Sequence, residues 1–275
     1  MSEHHSVFGN ILHQFDRVRS LWKRVSIFCP KLKNWWIYPL GLFGFLKKGN
    51  LYTFRYRNGM NVSFRAGTYD TLINFEIFGC GEYAHYFMSD VGTFHRIIDL
   101  GAQTGVFTLS LLAQNKLLQV TCVEVTTENF QVLKRNIEQN GFSKQVALIH
   151  KAVWGKTGES LSLHMSKHNS GSHSVVIDDS GRVNGETVQT ISLKDVVGAE
   201  TCDVLKIDIE GAEYDVLYGT DSETFSRIRH IVMEAHFLDE KRNAPAIETF
   251  LVQRGFEVIR EGKHLWAKNR ESQES

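Results

Sequence analysis

Cysteine is scarce in this sequence, and its placement argues against two kinds of stabilising site. The four cysteines, Cys29, Cys80, Cys122 and Cys202, are far apart, and no two of them form a CxxC pair. Cys122 also falls in an apolar run that is typical of a buried strand. We therefore expect neither a disulfide framework nor a zinc site, and a reducing, cytoplasmic compartment fits this pattern best.

Long hydrophobic runs are missing as well. The most apolar N-terminal stretch, residues 35–46, is interrupted by Pro39, Gly41 and Gly44. It is shorter than the roughly 20 apolar residues that a helix needs to cross a bilayer. Residues 1–10 lack the basic start and apolar run of a signal peptide. We expect a cytoplasmic chain that does not cross a membrane, with peripheral contact at the inner face of a membrane left open.

The net charge of the whole sequence is zero, but positive and negative residues are unevenly distributed along the chain. Residues 1–50 carry a net charge of +6, and residues 51–275 carry −6. Within residues 8–28, apolar side chains recur at helical spacing, and basic side chains occupy the opposite face. Two interpretations stay open: a helix that packs onto the main domain, or a peripheral membrane contact made by residues 8–48.

Beyond this basic arm, the pattern of apolar residues changes twice. Alternation across residues 51–65, around Asn58-Gly59, predicts a β-hairpin, and residues 70–89 predict a short helical connector. From Phe94 onward, strands alternate with helices, which predicts an α/β domain with a mostly parallel sheet. The predicted segments are a basic amphipathic arm (1–50), hairpin and connector (51–93), α/β domain (94–270) and tail (271–275).

The end of the predicted sheet separates two classes of α/β fold. The main strands are predicted over residues 96–100, 119–124, 146–150, 204–207, 230–234, 256–260 and 264–267. Only Glu261-Gly262-Lys263 joins the last two, too few residues for a parallel crossover, so this pair must be antiparallel. A parallel sheet that ends in an antiparallel strand is typical of the Rossmann-like class I methyltransferases, whereas dehydrogenase sheets stay parallel. Helices are predicted over 106–115, 128–140, 212–219 and 244–254, and short strands over 160–164 and 188–191.

A glycine-containing turn follows the first main strand, where α/β sheets bind nucleotide-like cofactors. The turn reads Asp99-Leu100-Gly101-Ala102-Gln103-Thr104-Gly105, and its two glycines allow a sharp bend close to a ligand. A glycine pair alone also occurs in ordinary turns. Gln103 replaces the middle glycine of the pyrophosphate fingerprint, which disfavours a nicotinamide dinucleotide.

Two acidic residues make the turn more specific for S-adenosylmethionine. Asp99 is placed to pair with the amino group of the methionine part, where a pyrophosphate would be repelled. Glu124 ends the second strand, where an acid bonds ribose hydroxyls. The predicted cofactor-binding residues are Asp99, Gly101, Ala102, Gln103, Thr104, Gly105, Glu124, Ala152, Val153 and Asp208.

Acidic residues and a histidine follow the fourth and fifth strands, beside this site. We predict that His236 or Asp208 activates a substrate hydroxyl while Glu210 orients it. Glu213 is a predicted substrate-binding residue, although the helix dipole alone favours an acid at that position. His236 could equally be a structural histidine. No metal site is expected, because a third acidic or amide ligand beside Asp208, Glu210 and His236 is not identifiable.

Several of these runs together resemble the FkbM family of S-adenosylmethionine-dependent methyltransferases. The turn at 99–105 is similar to its first motif, and Asp203-Val204-Leu205-Lys206-Ile207-Asp208-Ile209-Glu210-Gly211-Ala212-Glu213 to its most distinctive run. Met233-Glu234-Ala235-His236, Gly81-Glu82-Tyr83 and Asn169-Ser170-Gly171-Ser172 also match, whereas Val125-Thr126-Thr127 stands where a proline-containing turn is expected.

The resemblance implies the class I fold, S-adenosylmethionine as cofactor and O-methylation of a hydroxyl on a sugar, polysaccharide or other natural product. On the same basis Glu82, Tyr83, Asn169 and Ser172 are predicted to bind substrate.

Two other function classes stay open. A nicotinamide-dependent oxidoreductase is disfavoured by Asp99, by Gln103 and by the antiparallel final pair. The other is a non-catalytic binding module with the same fold. Nucleic acid is not an expected partner, because the main domain is acidic and no Asn-Pro-Pro-Tyr motif follows the fourth strand. The expected acceptor is a small-molecule or glycan hydroxyl, and the oligomeric state is not indicated.

Overall fold

Two compact units, Met1–Glu82 and Tyr83–Ser275, make up the chain. The computed structural model describes residues 20–83, 86–87, 89–162 and 187–273. The predicted substrate-binding residues Asn169 and Ser172, and most of the predicted N-terminal helix, lie outside these ranges.

The first unit contains the predicted β-hairpin. Leu51–Arg65 forms β1 (Leu51–Arg55) and β2 (Asn61–Arg65), with Phe54 opposite Val62, so the hairpin is confirmed. Gly59 takes a φ of +96°, which a side chain disfavours and which the predicted turn requires. Helices complete the unit: α1 (residues 20–28), α2 (Ile37–Leu42) and α3 (Asp70–Asn74), which continues into a π-helical turn, Phe75–Cys80.

Aromatic side chains form the core of this unit. The fully buried Phe28 ring lies 4.6 Å from that of Tyr38 and 5.5 Å from that of Phe54. Asn34 fixes the following segment to the hairpin, since its side chain donates to Thr53 O and accepts from Arg55 N. The described end of the basic arm therefore packs on the hairpin.

The second unit is built on a seven-stranded sheet. In chain order its strands are β3 (Arg96–Leu100), β4 (Gln119–Glu124), β5 (Val146–His150), β9 (Cys202–Ile207), β10 (Ile228–Glu234), β11 (Phe256–Glu261) and β12 (His264–Asn269). The order across the sheet is β11-β12-β10-β9-β3-β4-β5. The five strands from β10 to β5 run parallel, whereas β12 is inserted antiparallel between β10 and β11. The predicted class I arrangement is confirmed.

Helices alternate with the parallel strands of this sheet along the chain, as the pattern predicts. They are α4 (Val106–Leu112), α5 (Thr127–Gln139), α6 (Leu193–Val197), α7 (Glu213–Tyr218), α8 (Ser222–Ser226) and α9 (Ala244–Gln253). Asn243 caps α9 by accepting from Ala246 N, as predicted. Strand β9 is buried along its whole length, which explains its apolar run.

A small second sheet pairs β6 (Ala152–Trp154), β8 (Thr187–Ser192) and β7 (Ser160–Ser162). Strand β6 and helices α6 and α8 were not predicted, because three to five residues are too few to show a period. Throughout the described part of the chain, every helix is too short or too polar to span a membrane.

Candidate active site

The turn between β3 and α4 lies directly against the end of β9. Gly101 has a φ of +74°, and a Cβ atom there would stand 1.8 Å from the carbonyl oxygen of Asp208. Only glycine fits such an approach. Gly105, with a φ of +81°, directly precedes α4, and a Cβ atom there would stand 2.6 Å from the Leu133 side chain of α5. Gly101 thus brings the cofactor turn against the carboxylate-bearing end of β9, and Gly105 lets the turn pack against α5.

Glu124, at the end of β4, is almost fully buried and is held by protein donors. Its Oε1 accepts from Thr126 N at 2.9 Å and from the Thr126 hydroxyl at 2.6 Å, and its Oε2 accepts from Gln103 N at 2.8 Å. A carboxylate oxygen accepts two hydrogen bonds, so Oε2 has capacity for a ligand hydroxyl. Thr126, immediately before α5, thereby replaces the expected proline turn.

An open pocket of about 540 Å³ lies beside these groups, part of it open to solvent. It is lined by Gly101, Gln103, Val123, Glu124, Val125, Thr126, Asn129, Lys151, Ala152, Val153, Asp208, Ile209, Glu210 and Ala212. Six of the predicted cofactor residues are therefore brought together at one site: Gly101, Gln103, Glu124, Ala152, Val153 and Asp208. Ala102, Thr104 and Gly105 belong to the turn behind it, and Thr104 is fully buried.

Asp99 does not reach this pocket. Its side chain is fully buried; one oxygen accepts from the Thr108 hydroxyl at 2.8 Å, and the other lies 3.3 Å from the ammonium group of Lys206. The predicted ion pair between Asp99 and the amino group of a bound cofactor has to be corrected, because the charge of Asp99 is already paired inside the protein.

Lys206 is a buried cation that joins the two strand ends. Its ammonium group donates to Gly101 O at 2.8 Å and lies 3.7 Å from Asp208 Oδ2. Burial opposes the charged form, but Asp99 and Asp208 outweigh it and raise the pKa of Lys206. Sequence reasoning missed this role, although a lysine inside an otherwise apolar strand was a visible signal.

His236 is surrounded by carboxylates. Its Nδ1 lies 2.8 Å from Glu213 Oε1, and its Nε2 lies 3.2 Å from Glu234 Oε1 and 3.4 Å from Glu210 Oε2. Burial alone would favour the neutral ring, yet hydrogen bonds to Glu213 and Glu234 raise the pKa of His236 to about 10. His236 is therefore a cation at neutral pH, which does not favour its predicted role as a general base.

Glu213 and Glu234 hold this histidine from opposite sides. Glu213 is fully buried, and its Oε1 also accepts from the backbone N–H groups of Ile209 and Gly211. Its prediction as a substrate-binding residue is corrected, because its carboxylate is turned into the protein towards His236. Glu234, which was not predicted, also accepts from Lys263 Nζ and lies beside His264.

Glu210 lines the pocket in a strained conformation. Its φ is +53°, unusual for a residue other than glycine, and Gly211 follows with +104°. Burial raises the pKa of Glu210 to about 7, despite the opposing charge of His236. Burial also raises the pKa of Asp208, against the effect of Lys206. A carboxylate with a pKa near neutrality is suited to accept a proton.

Of the remaining predicted residues, Tyr83 lies at the site and Glu82 does not belong to the same unit. The hydroxyl group of Tyr83 donates to Asp208 Oδ2 at 3.5 Å, and its backbone φ is +63°. Glu82 ends the first unit.

Asp208, Glu210 and His236 each offer one possible metal-ligand atom, and these three atoms lie within 4.8 Å of one another. The expectation that no metal binds there stays a prediction.

Two curated relatives of this chain are named as methyltransferases. The chain is 26% identical to "Methyltransferase sdnD" of Sordaria araneosa over 202 residues, covering 62% of this chain and 76% of that protein. It is 27% identical to "Methyltransferase 1" of Beauveria bassiana over 183 residues, covering 59% and 72%.

Solved structures are more remote. A precorrin-6y C5,15-methyltransferase from Geobacter metallireducens is 13% identical, with a TM-score of 0.38 over 68% of this chain and 85% of that one. A likeness at this level says nothing about substrate.

One family model matches a continuous region that contains the glycine turn, the end of β9 and His236. The model of the methyltransferase FkbM domain matches residues 99–258, more than half of the chain. This chain is a methyltransferase that belongs to the FkbM family.

Proposed function

We propose that this methyltransferase transfers the methyl group of S-adenosylmethionine to a hydroxyl oxygen of a small polar acceptor, such as a sugar or another natural product. The observation that carries the proposal is the place of Glu210, a carboxylate with a pKa near 7 on the wall of the cofactor pocket. A hydroxyl group is a weak nucleophile until a base takes its proton.

The pocket residues fit this cofactor. Glu124 Oε2 retains room for a ribose hydroxyl, and Val125, Ala152 and Val153 offer apolar walls for an adenine ring. Asp208 and Glu210 also line the pocket, where carboxylates favour a cationic group. When bound, S-adenosylmethionine supplies an electrophilic methyl group on a sulfonium sulfur.

Three residues of the chain then have different roles. Glu210 accepts the proton of the acceptor hydroxyl as the new carbon–oxygen bond forms and the carbon–sulfur bond breaks, its electron pair staying on sulfur. Asp208, hydrogen-bonded by Tyr83, orients the acceptor. His236 is a positioning residue, because its cation lies 3.4 Å from Glu210 and keeps that carboxylate in place. Alignment of the two reactants supplies a large part of the rate.

An exposed aromatic ring supports a sugar-like acceptor. Phe237 follows the end of β10 directly after His236, and 73% of its side chain is exposed. An exposed aromatic ring that follows a site residue in the chain is suited to pack against the C–H face of a sugar ring.

The test is an acceptor screen with the full chain. The protein is incubated with S-adenosylmethionine and a panel of sugars and polyhydroxylated natural products, and mass spectrometry follows S-adenosylhomocysteine and the methylated product. We expect a product with the methyl group on oxygen, lost in Glu210→Gln but kept in the exposed control Glu240→Gln. A product methylated on nitrogen or carbon, or full turnover by Glu210→Gln, would refute the proposal.

Calorimetric titration tests cofactor binding independently of the acceptor. We expect S-adenosylmethionine and S-adenosylhomocysteine to bind, NAD not to bind, and Glu124→Ala to weaken both adenosyl ligands. Saturable NAD binding would revive the oxidoreductase alternative. Cofactor binding without turnover on any acceptor would instead favour a non-catalytic binding module.

A further inference from the structure

Helix α2 in the first unit turns an apolar stripe to the outside. Its buried residue is Tyr38, which packs against Phe28. Trp36, Leu40 and Phe43 recur at i, i+4 and i+7, so they lie on the side of the helix opposite Tyr38. Their exposed fractions are 51%, 39% and 52%. Within the part of the chain that the structure describes, the helix is thus anchored by one face and leaves the other exposed.

Two neighbours enlarge this stripe. The Trp35 ring lies 6.3 Å from the Trp36 ring and is half exposed. Phe45, 76% exposed, is held beside the helix because its backbone N–H donates to Leu40 O. We call these five side chains, Trp35, Trp36, Leu40, Phe43 and Phe45, the α2 face. Large contiguous apolar surfaces of this kind mark interaction sites.

The charged residues that flank the α2 face along the chain have one sign. No aspartate or glutamate occurs between Asp16 and Asp70. Lys33 precedes the face and Lys47 and Lys48 follow it, and all three are exposed. A second copy of the chain offers the same basic surface, so a symmetric contact between two α2 faces would bring like charges together. The occupant therefore has to be apolar and anionic.

We propose that the α2 face binds the interface of an anionic lipid bilayer, with the tryptophan and phenylalanine rings at headgroup depth and the flanking lysines on the phosphates. Tryptophan is enriched at membrane interfaces, and lysine is attracted to anionic headgroups. With six helical residues, α2 lies in the interface and cannot cross the bilayer. The proposal does not depend on the acceptor or on methyl transfer.

Co-sedimentation of the full chain with vesicles tests this proposal. We expect binding to phosphatidylcholine vesicles that contain phosphatidylserine, weak binding to phosphatidylcholine alone, and loss of binding as salt is raised. Lipids brominated in the acyl chain should quench tryptophan fluorescence, and Trp35→Phe/Trp36→Phe should remove most of that quenching.

Matched variants locate the contact. Trp36→Ser/Phe45→Ser and Lys47→Glu/Lys48→Glu should each weaken partitioning at least about tenfold. Controls on the second unit, Leu117→Ser and Lys116→Glu, also change exposed residues and should bind as the wild type does. No sedimentation with anionic vesicles, wild-type binding by both α2-face variants, or binding to duplex DNA in place of vesicles would overturn the proposal. Formation of a dimer that the serine variant abolishes, without lipid binding, would assign the face to a second copy.

Discussion

Removal of the Lys206 ammonium group should destabilise the second unit strongly. In Lys206→Met the side chain keeps nearly the same length, but the fully buried Asp99 loses the cation 3.3 Å from its carboxylate. The loss of one partner of a buried ion pair costs about 3–5 kcal/mol. The Thr108 hydrogen bond remains, so we expect a value near the lower end of this range.

Urea unfolding followed by circular dichroism measures this effect. A loss of that size should lower the unfolding midpoint by about 1–2 M urea. The exposed control Lys116→Met should stay within about 0.5 kcal/mol of the wild type.

A double-mutant cycle then separates the ion pair from packing. Asp99→Asn removes the charge that Lys206 neutralises and keeps the hydrogen bond from Thr108. Asp99→Asn/Lys206→Met should therefore be more stable than Lys206→Met alone by at least about 1 kcal/mol. If Lys206→Met costs less than about 1 kcal/mol, or if the two single changes simply add, Asp99 does not depend on Lys206 and the reasoning fails.

Four further outcomes follow from the same site. In the wild type, kcat/KM should rise with pH through an apparent pKa of about 7 for Glu210. Glu210→Gln should lower kcat by about 10²–10⁴-fold and abolish this pH dependence. An unchanged pH profile in the variant would exclude Glu210 as the base. Because the pKa of His236 is raised to about 10, its stabilising effect is complete below its unfolded pKa and is lost as pH rises through about 10. Between pH 7 and 10 the wild type should lose about 3–4 kcal/mol more unfolding free energy than His236→Gln, and equal losses would contradict the ion-pair cluster. Phe237→Ala should raise the KM for the acceptor severalfold without changing that for S-adenosylmethionine, while Val252→Ala, also exposed, should change neither. Dialysis against EDTA should leave turnover unchanged. If dialysis abolished turnover and a divalent cation restored it, Asp208, Glu210 and His236 would be identified as metal ligands.

The central strands could be predicted from the sequence because β3, β4 and β9 are largely buried and contain apolar runs. Arg96–Leu100, Gln119–Glu124 and Val146–His150 begin and end where they were predicted. The antiparallel last pair followed from the shortness of its connection. Elements of three to five residues, such as β6 and α8, carry no period of their own and depend on the tertiary structure.

The membership of the site could be predicted only in part, because Lys206 and Glu234 were missed, and its charge states could not be predicted. The positions of Asp208, Glu210 and His236 follow from the ends of neighbouring parallel strands. Whether His236 is a base or a cation depends on Glu213 and Glu234, and the sequence alone does not show both hydrogen-bonded to one ring. Asp99 was assigned to the ligand for the same reason: its partner, Lys206, is distant in sequence and reaches it only across adjacent strands.

The close approach of Gly101 to the backbone of Asp208 has a mechanical consequence. With no room for even a methyl group between them, a shift of the turn at 99–105 towards Asp208 displaces the peptide of that residue. Under the proposed function this turn contacts the methyl donor and Asp208 contacts the acceptor. A change in the affinity for one ligand on binding of the other would therefore pass through this contact, and by thermodynamic reciprocity it would be equal in both directions.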